Sequence, residues 1–351
     1  MQIVTDNLVI SLDCMGGDRA PQIVVDGAAL ARARYPDVRF LMYGDKQQIA
    51  PILDAHPGLA GITTIHHTES VILNEDKPST ALRSGRESSM RLAIDAVRDG
   101  HAAAVVSAGN TGALMAMAKF VLKTLPGISR PAIAAIIPTA RGETAMLDLG
   151  ANIQCDEENL VQFAVMGEVF ARTVLGLERP SIGLLNIGVE DLKGVEAVRG
   201  AATILRETTL PIVFEGFIEG NDITEGTVDV VVTDGFTGNV ALKTAEGTAS
   251  LYTNFLKEAF KSSWMSKLGY LFAKGAMQTL RTRFDPRRYN GAMLLGLNGI
   301  VVKSHGGTDE IGFSNAIGVA VEMAQHGFIE KMTDDFNSLQ SDLDSPKEAA
   351  G

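Results

Sequence analysis

The chain reads as an α/β protein: a three-layer α/β/α fold around a mostly parallel sheet, with a helical protrusion set into it. Three observations predict this. Short runs of small and β-branched apolar residues recur along the 351 residues. Glycine turns follow them, and amphipathic segments of helical period alternate with them, as right-handed βαβ crossovers require. The pattern is sharpest at 102–120, AAAVVSAGNTGALMAMAKF, where a strand ends at Val106, a turn spans Ser107 to Gly112 and a helix starts at Ala113. Such a turn exposes backbone N–H groups and the positive end of a helix dipole, a ready site for a phosphate or carboxylate oxygen. Ser107, Gly109, Asn110, Thr111 and Gly112 are therefore candidate anion contacts, and Asn110 or Thr111 equally suits the plain role of helix cap.

The remaining elements follow in order. Residues 7–13 (NLVISLD) predict the first strand, running into the turn Cys14-Met15-Gly16-Gly17-Asp18. Pro21 fits the first turn of a helix through Arg34. Strands at 38–43 and 62–66 flank a helix at 46–55. A polar loop at 74–79 leads into a helix carrying Ser79 and Arg83. Beyond the central stretch, strands are expected at 131–137, 144–149, 181–186, 213–217 and 228–233, and helices at 157–175 and 196–207. Glycine turns with Asn, Asp or Thr recur at strand ends: Asn152 in LDLGAN, Asn186 in NIG, Asp234, Thr237 and Asn239 in DGFTGN, and Asn298 in GLNG. In an open α/β sheet such ends are expected together on one edge, where ligands bind. These residues join the candidate phosphate or substrate contacts. Lys243, Lys303 and Arg83 are the candidate compensating charges. Two glycine turns bracket a strand at 299–303, which leaves Lys303, Ser304 and His305 at its end, before a helix at 309–325. Lys303 and His305 are candidate catalytic residues, with Asn110.

Residues 262–284 break the rhythm. Trp264, Leu268, Leu271 and Phe272 fall at helical spacing, with Lys267, Lys274 and Arg281 on other faces. A protrusion is expected at 255–288, inserted in a catalytic domain of one body or two lobes over 1–337, with a polar tail at 338–351. The segment 257–288 carries a net charge of +6 on a chain of −11. A basic island on an acidic protein reads as a docking surface for something acidic, with Lys257, Lys261, Trp264, Lys267, Leu268, Leu271, Lys274 and Arg281 as candidate carrier-protein or membrane contacts. The same helices suit a dimer interface.

Composition narrows the function. The overall acidity disfavours nucleic acid. Two cysteines, Cys14 and Cys155, lie far apart without metal spacing and suggest a reducing compartment. No basic leader precedes the first strand, and no apolar run approaches the ~20 residues a spanning helix needs. There is no G-x-G, G-K-[ST], G-x-S-x-G, H-E-x-x-H or C-x-x-C. The dinucleotide fingerprint, the P-loop and the hydrolase nucleophile elbow are thus missing. Neither a cofactor nor a metal is expected.

Several strings, in order over residues 8–330, resemble one family as a set: SLDCMGGDRAPQIVVDGA, KPSTALR, SAGNTGALM, RPAIAAIIPT, LDLGAN, LLNIGVEDLKG, GFIEGNDI, VDVVVTDGFTGNVALKTAEG and LLGLNGIVVKSHG. The family is the bacterial phosphate acyltransferases of phospholipid synthesis (PlsX). At Gly291-Ala292-Met293 the chain departs from the family's usual Gly-Ala-Pro, which bears only on local loop shape. The resemblance implies transfer of a fatty acyl chain from acyl carrier protein to inorganic phosphate. The acyl phosphate passes to a glycerol-3-phosphate acyltransferase in the membrane. It also implies a fold similar to phosphotransacetylases and isocitrate/isopropylmalate dehydrogenases, and a cytoplasmic homodimer peripherally associated with the membrane. The competing readings are a phosphotransacetylase using a short acyl-coenzyme A, a metal-dependent decarboxylating dehydrogenase, and a non-catalytic membrane scaffold.

Overall fold

The computed structural model describes residues 8–344 except 209, 211 and 284. The first half alternates strictly: β1 (Val9–Asp13), α1 (Gln22–Arg34), β2 (Arg39–Gly44), α2 (Lys46–Asp54), β3 (Thr63–His67), α3 (Pro78–Ser84), α4 (Ser89–Arg98), β4 (Ala104–Ser107) and α5 (Thr111–Leu122). Two strands then follow without a helix between them, β5 (Ala132–Pro138) and β6 (Glu143–Leu147). The rhythm resumes with α6 (Glu157–Val174), β7 (Ser181–Leu185), α7 (Glu196–Glu207), β8 (Val213–Ile218), α8 (Gly220–Glu225) and β9 (Val230–Val232). Two long helices come next, α9 (Gly235–Lys261) and α10 (Trp264–Arg283). The chain returns through β10 (Ala292–Leu295), β11 (Ile300–Lys303), α11 (Glu310–Gln325) and α12 (Phe328–Asp344).

The strands form one sheet in the order β3-β2-β1-β4-β11-β10-β5-β6-β9-β7-β8. Most neighbours are parallel, as the alternation predicts; β10 is antiparallel to β11 and β5, and β5 to β6. Helices cover both faces. Ile10, Leu12, Val106 and Val302 point toward α1, α6 and α11. Val105, Val301 and Leu294 point the other way, onto α4 and α5, and Met146 and Val231 onto α8 and the start of α9. Strands buried on both sides in this way read as nearly continuous apolar runs.

The antiparallel steps correct one expectation. They reverse the direction of β6, β9, β7 and β8 relative to β1, β2, β4 and β11. The carboxyl ends of β1, β4 and β11 therefore open on one rim of the sheet, and those of β6, β9 and β7 on the opposite rim. The glycine turns do not gather on a single edge. Two of the three antiparallel steps are written in connection length; the third, β10 against β5, joins strands far apart in the chain, and without it the two hairpins would cancel. Only residues 139–142 separate β5 from β6, and 296–299 separate β10 from β11. Parallel neighbours need a crossover of a dozen or more residues, so both links demand hairpins. β10 itself is hidden among glycines, Gly291 at φ +126° and Gly296 at φ +85°, and a Cβ on Gly296 would stand 2.9 Å from the Met166 sulfur.

The protrusion begins earlier than residue 255. It is the hairpin of α9 and α10, and α9 starts at the sheet with Gly235. Past its first turns α9 is exposed on nearly every side, and its far end meets α10 through Phe260 and Tyr270, edge to face at 5.2 Å. The segment 338–344, read as tail, continues α12, which docks on α6 and buries Phe328, Met332, Phe336 and Leu339. Asn7, Phe284 and residues 345–351 lie outside the described residues. Among those described, no helix is long and apolar enough to cross a membrane.

Candidate active site

On the first rim, Asp13, Ser107 and Lys303 are the last residues of three adjacent parallel strands. They form one row: Asp13 pairs with Ser107, and Ser107 with Lys303. Period-2 alternation puts all three on the α4 and α5 face, since Val105 and Val301 two residues earlier pack there. Asp13 is buried. One carboxylate oxygen accepts from Ser107 Oγ at 2.6 Å, the other from Ser89 Oγ at 2.6 Å and from the Met15 N–H at 3.3 Å. Ser107 Oγ in turn accepts from the Gly109 N–H at 3.1 Å. Lys303 Nζ donates to the Ala108 carbonyl at 3.3 Å and to the Ser304 carbonyl.

Burial drives both charges toward neutrality. It pushes the Asp13 carboxyl up, against the hydroxyl and N–H donors that pull it down. It pushes Lys303 down to about 8, with Asp13 and Asp18 opposing the fall. Cys14, behind Asp13, is buried and its thiol is held well above the usual range, so it stays protonated.

Four loops close around this row. The turn after β1 reaches the turn after β11 through the Asp18 N–H, which donates to the Gly306 carbonyl at 3.0 Å. Asp18 also accepts from Asn74 Nδ2 at 3.2 Å. Asn110 caps α5, its Oδ1 accepting from the Ala113 N–H at 3.0 Å. Its Nδ2 lies 3.3, 2.9 and 3.0 Å from the carbonyls of Leu73, Asn74 and Asp76. Asn110 is thus a clasp for the 73–76 loop, and its amide is spent on the protein rather than aimed at a reacting group. Thr111 is exposed on the first turn of α5, and Gly112 packs so tightly that a Cβ would stand 2.8 Å from Pro78. Ser79 and Arg83 are exposed on α3 beside it, the Arg83 Nε bonded to the Ser79 carbonyl at 3.1 Å.

His305 is exposed. Its Nδ1 accepts from the Gly307 N–H at 3.1 Å, which leaves the proton of the neutral ring on Nε2. A residue that sequence reading passes over, Asn290, frames this turn. It accepts from the His305 N–H at 2.9 Å and donates to Ser304 Oγ and to the Gly312 carbonyl, both at 2.8 Å. Arg287 is a second. It clamps Asp285 and reaches Asp309, the α11 cap, at 3.0 Å. This removes Arg287 from the docking island: its charge is used in the body.

The other candidates sit on the opposite rim or near it. Asn152 is buried and donates to the Pro131 carbonyl at 2.8 Å and to Asp148 at 2.9 Å. Asp234 caps α9 through the Thr237 N–H and hydroxyl. Asn239 lies beside Gly150, and Lys243 pairs with Glu246 at 2.7 Å. Asn186 and Asn298 hold loop carbonyls, those of Lys193 and Thr124. Strand direction puts these seven, Thr237 included, on the rim away from the Lys303 row. Cys155 is on this rim too, and burial pushes its thiol up to about 11. Lys257, Lys261, Trp264, Lys267, Leu268, Leu271 and Lys274 are all exposed on the hairpin; the Arg281 side chain lies outside the described residues.

The first rim therefore offers a largely buried cation beside a glycine turn at a helix N-terminus, an arrangement that suits an oxyanion. Among the described residues no cluster of three or more metal-ligating side chains occurs. The solved structure of a phosphotransacetylase from Streptococcus pyogenes matches with a TM-score of 0.61 over 92% of this chain and 95% of its own, at 17% identity, a likeness of fold. A phosphate acyltransferase of Rhodospirillum centenum is 63% identical over 97% of this chain and 96% of its own. One of Paramagnetospirillum magneticum is 62% identical over 98% of each. Residues 8–331 match the model of the fatty acid synthesis protein family. The chain belongs to that family, among its phosphate acyltransferases.

Proposed function

We propose that the chain transfers a fatty acyl group from acyl carrier protein to inorganic phosphate, and that phosphate binds on the first rim. The observation that carries this reading is the Asp13-Ser107-Lys303 row beneath the 107–112 turn. Phosphate is already an oxyanion nucleophile and needs little general base. The site has to hold it beside a thioester carbonyl and stabilise the tetrahedral oxyanion that forms. Lys303 supplies the charge, and the backbone N–H groups at the start of α5 supply the donors. A phosphate oxygen attacks the carbonyl carbon, the C–S bond breaks, and the carrier's thiol leaves as a thiolate. With a thiol pKa of about 8.5 it leaves without strong acid help, and His305 is the proposed proton donor to it.

Direct transfer is favoured over a cysteine relay. Cys155 stands on the far rim with its thiol held at about 11, and Cys14 is sealed from solvent. The basic hairpin suits the acidic carrier protein and an anionic membrane surface, its apolar stripe suits a second subunit or the lipid, and the acyl phosphate then passes to a membrane acyltransferase. The far-rim polar turns are proposed contacts for the donor rather than for phosphate. Incubating the purified protein with palmitoyl carrier protein and labelled phosphate tests the reading: labelled acyl phosphate is expected. Turnover of acetyl-coenzyme A with none of the palmitoyl carrier overturns the choice of donor.

A further inference from the structure

Asp13 is the group whose presence in an anion site needs explaining. A carboxylate beneath a phosphate cradle repels the ligand, and burial costs it more. Yet the two adjacent turns are built around it. A Cβ on Gly16 would lie 2.6 Å from Asp13 Oδ2 and 2.6 Å from the Gly109 nitrogen, and a Cβ on Gly109 would lie 3.3 Å from the same carboxylate oxygen. Both of its oxygens are committed, one to Ser107 and one to Ser89, at 2.6 Å each. Because Ser107 gives its proton to Asp13, its oxygen is free to accept the Gly109 N–H, which sets the turn that opens α5.

The same carboxylate answers a second need. Lys303 is largely withdrawn from solvent, and that favours its neutral form. The charged groups that face it are Asp13 from the end of β1 and Asp18 from the following turn, both favouring the ammonium. Asp18 is exposed, so solvent and salt weaken its pull; Asp13 is sealed, so its pull is unscreened, and the Ser107, Ser89 and Met15 donors that hold its carboxyl down against burial favour the ionised form that exerts it. The thiol of Cys14 adds no charge.

We propose that Asp13 is the positioning residue of this site: it orients the Ser107 hydroxyl and the Gly109 turn, and supplies the counter-charge that keeps the Lys303 ammonium ready for an anionic substrate. Asp13 touches no substrate and acts through these two partners. The inference rests on the first-rim phosphate reading above.

The test is Asp13→Asn, which keeps the shape and removes the charge, assayed with phosphate varied between about pH 6.5 and 9.5. The KM for phosphate is expected to rise about tenfold while the KM for the acyl donor stays put. The alkaline fall of kcat/KM for phosphate should move to lower pH by about half a unit or more. An unchanged phosphate KM together with an unchanged alkaline limb overturns the proposal. If Asp13→Asn does not fold, Ser89→Ala decides. It takes one donor from the carboxylate, so the Lys303 midpoint, followed by NMR on labelled lysine, should fall; an unmoved midpoint rejects the role. Lys303→Met separates the two levels. If it raises the phosphate KM while Asp13→Asn does not, only the role of Asp13 fails. If neither variant changes it, the phosphate site itself is misplaced.

Discussion

At the scale of single residues the proposed chemistry rests on Lys303. Its ordinary ammonium pKa is lowered to about 8, first by burial, with Asp13 and Asp18 holding it up. The sign follows directly: the ammonium is present below about pH 7 and lost as pH rises through about 8. Phosphate turnover should therefore fall on the alkaline side with a midpoint near 8, read from kcat/KM for phosphate. Lys303→Met should cost about 10²- to 10³-fold in that parameter, the range found for removing one preorganised oxyanion donor. His305 is a different case. The leaving thiolate is stable near neutral pH, so His305→Ala should cost about tenfold or less, below the usual span for a general acid. A larger loss in steady-state kcat would mean that departure of the thiol needs the proton. The sequence places Lys303 and His305 at a strand end, and it does so correctly. It cannot show that Asp13 stands two strands away in the same row, because alternation tells which face a residue takes and not which strand lies beside it.

Elements meet through Asn110. As an N-cap it is legible, since an Asn between a glycine and the first helical turn signals one. Its second task is not: the carbonyls it holds at Leu73, Asn74 and Asp76 come from 34 to 37 residues upstream. No periodicity reports a contact of that span. The two tasks separate by substitution. Asn110→Asp keeps the cap and loses the amide donors; Asn110→Ala loses both. Asn110→Ala should lower stability by about 1 kcal/mol through the cap and by up to about a further 1 kcal/mol through the released, largely exposed carbonyls, measured by denaturant unfolding. Asn110→Asp keeps the cap but turns a carboxylate toward those carbonyls, so it should show the second part together with a repulsion that salt screens, and both variants should raise the KM for phosphate by loosening the turn. Equal stability of the two variants at high salt would mean that the cap adds nothing. Likewise Asn290 is silent in the sequence, one Asn beside a glycine, yet it ties the His305 turn to α11.

The whole molecule is governed by the reversal of its sheet. Apolar runs carry no direction, so alternation predicts the layers and the parallel halves but not the two rims; the short links at 139–142 and 296–299 give two of the three antiparallel steps, and the third, β10 against β5, is a long-range pairing that no link length reports. The consequence is a division of labour, with the Lys303 row on one rim and α9 rising from the other. The hairpin of α9 and α10 presents exposed Trp264, Leu271 and Phe272 with Lys257, Lys261, Lys267 and Lys274 around them. An apolar stripe gains roughly 25 cal/mol for each Å² it buries, while the lysines act through a field that salt screens within about 8 Å at physiological strength. The two contributions are thus separable. Replacing Trp264, Leu271 and Phe272 together by Ala should reduce sedimentation with anionic vesicles at least tenfold and leave turnover of soluble acyl carrier protein within about twofold. Replacing the four lysines by Glu should instead raise the KM for the carrier about tenfold, an effect that disappears at high salt. If the triple Ala variant turns monomeric in sedimentation equilibrium and loses turnover with it, the stripe is a subunit interface on which the site depends, and membrane contact falls to the lysines alone.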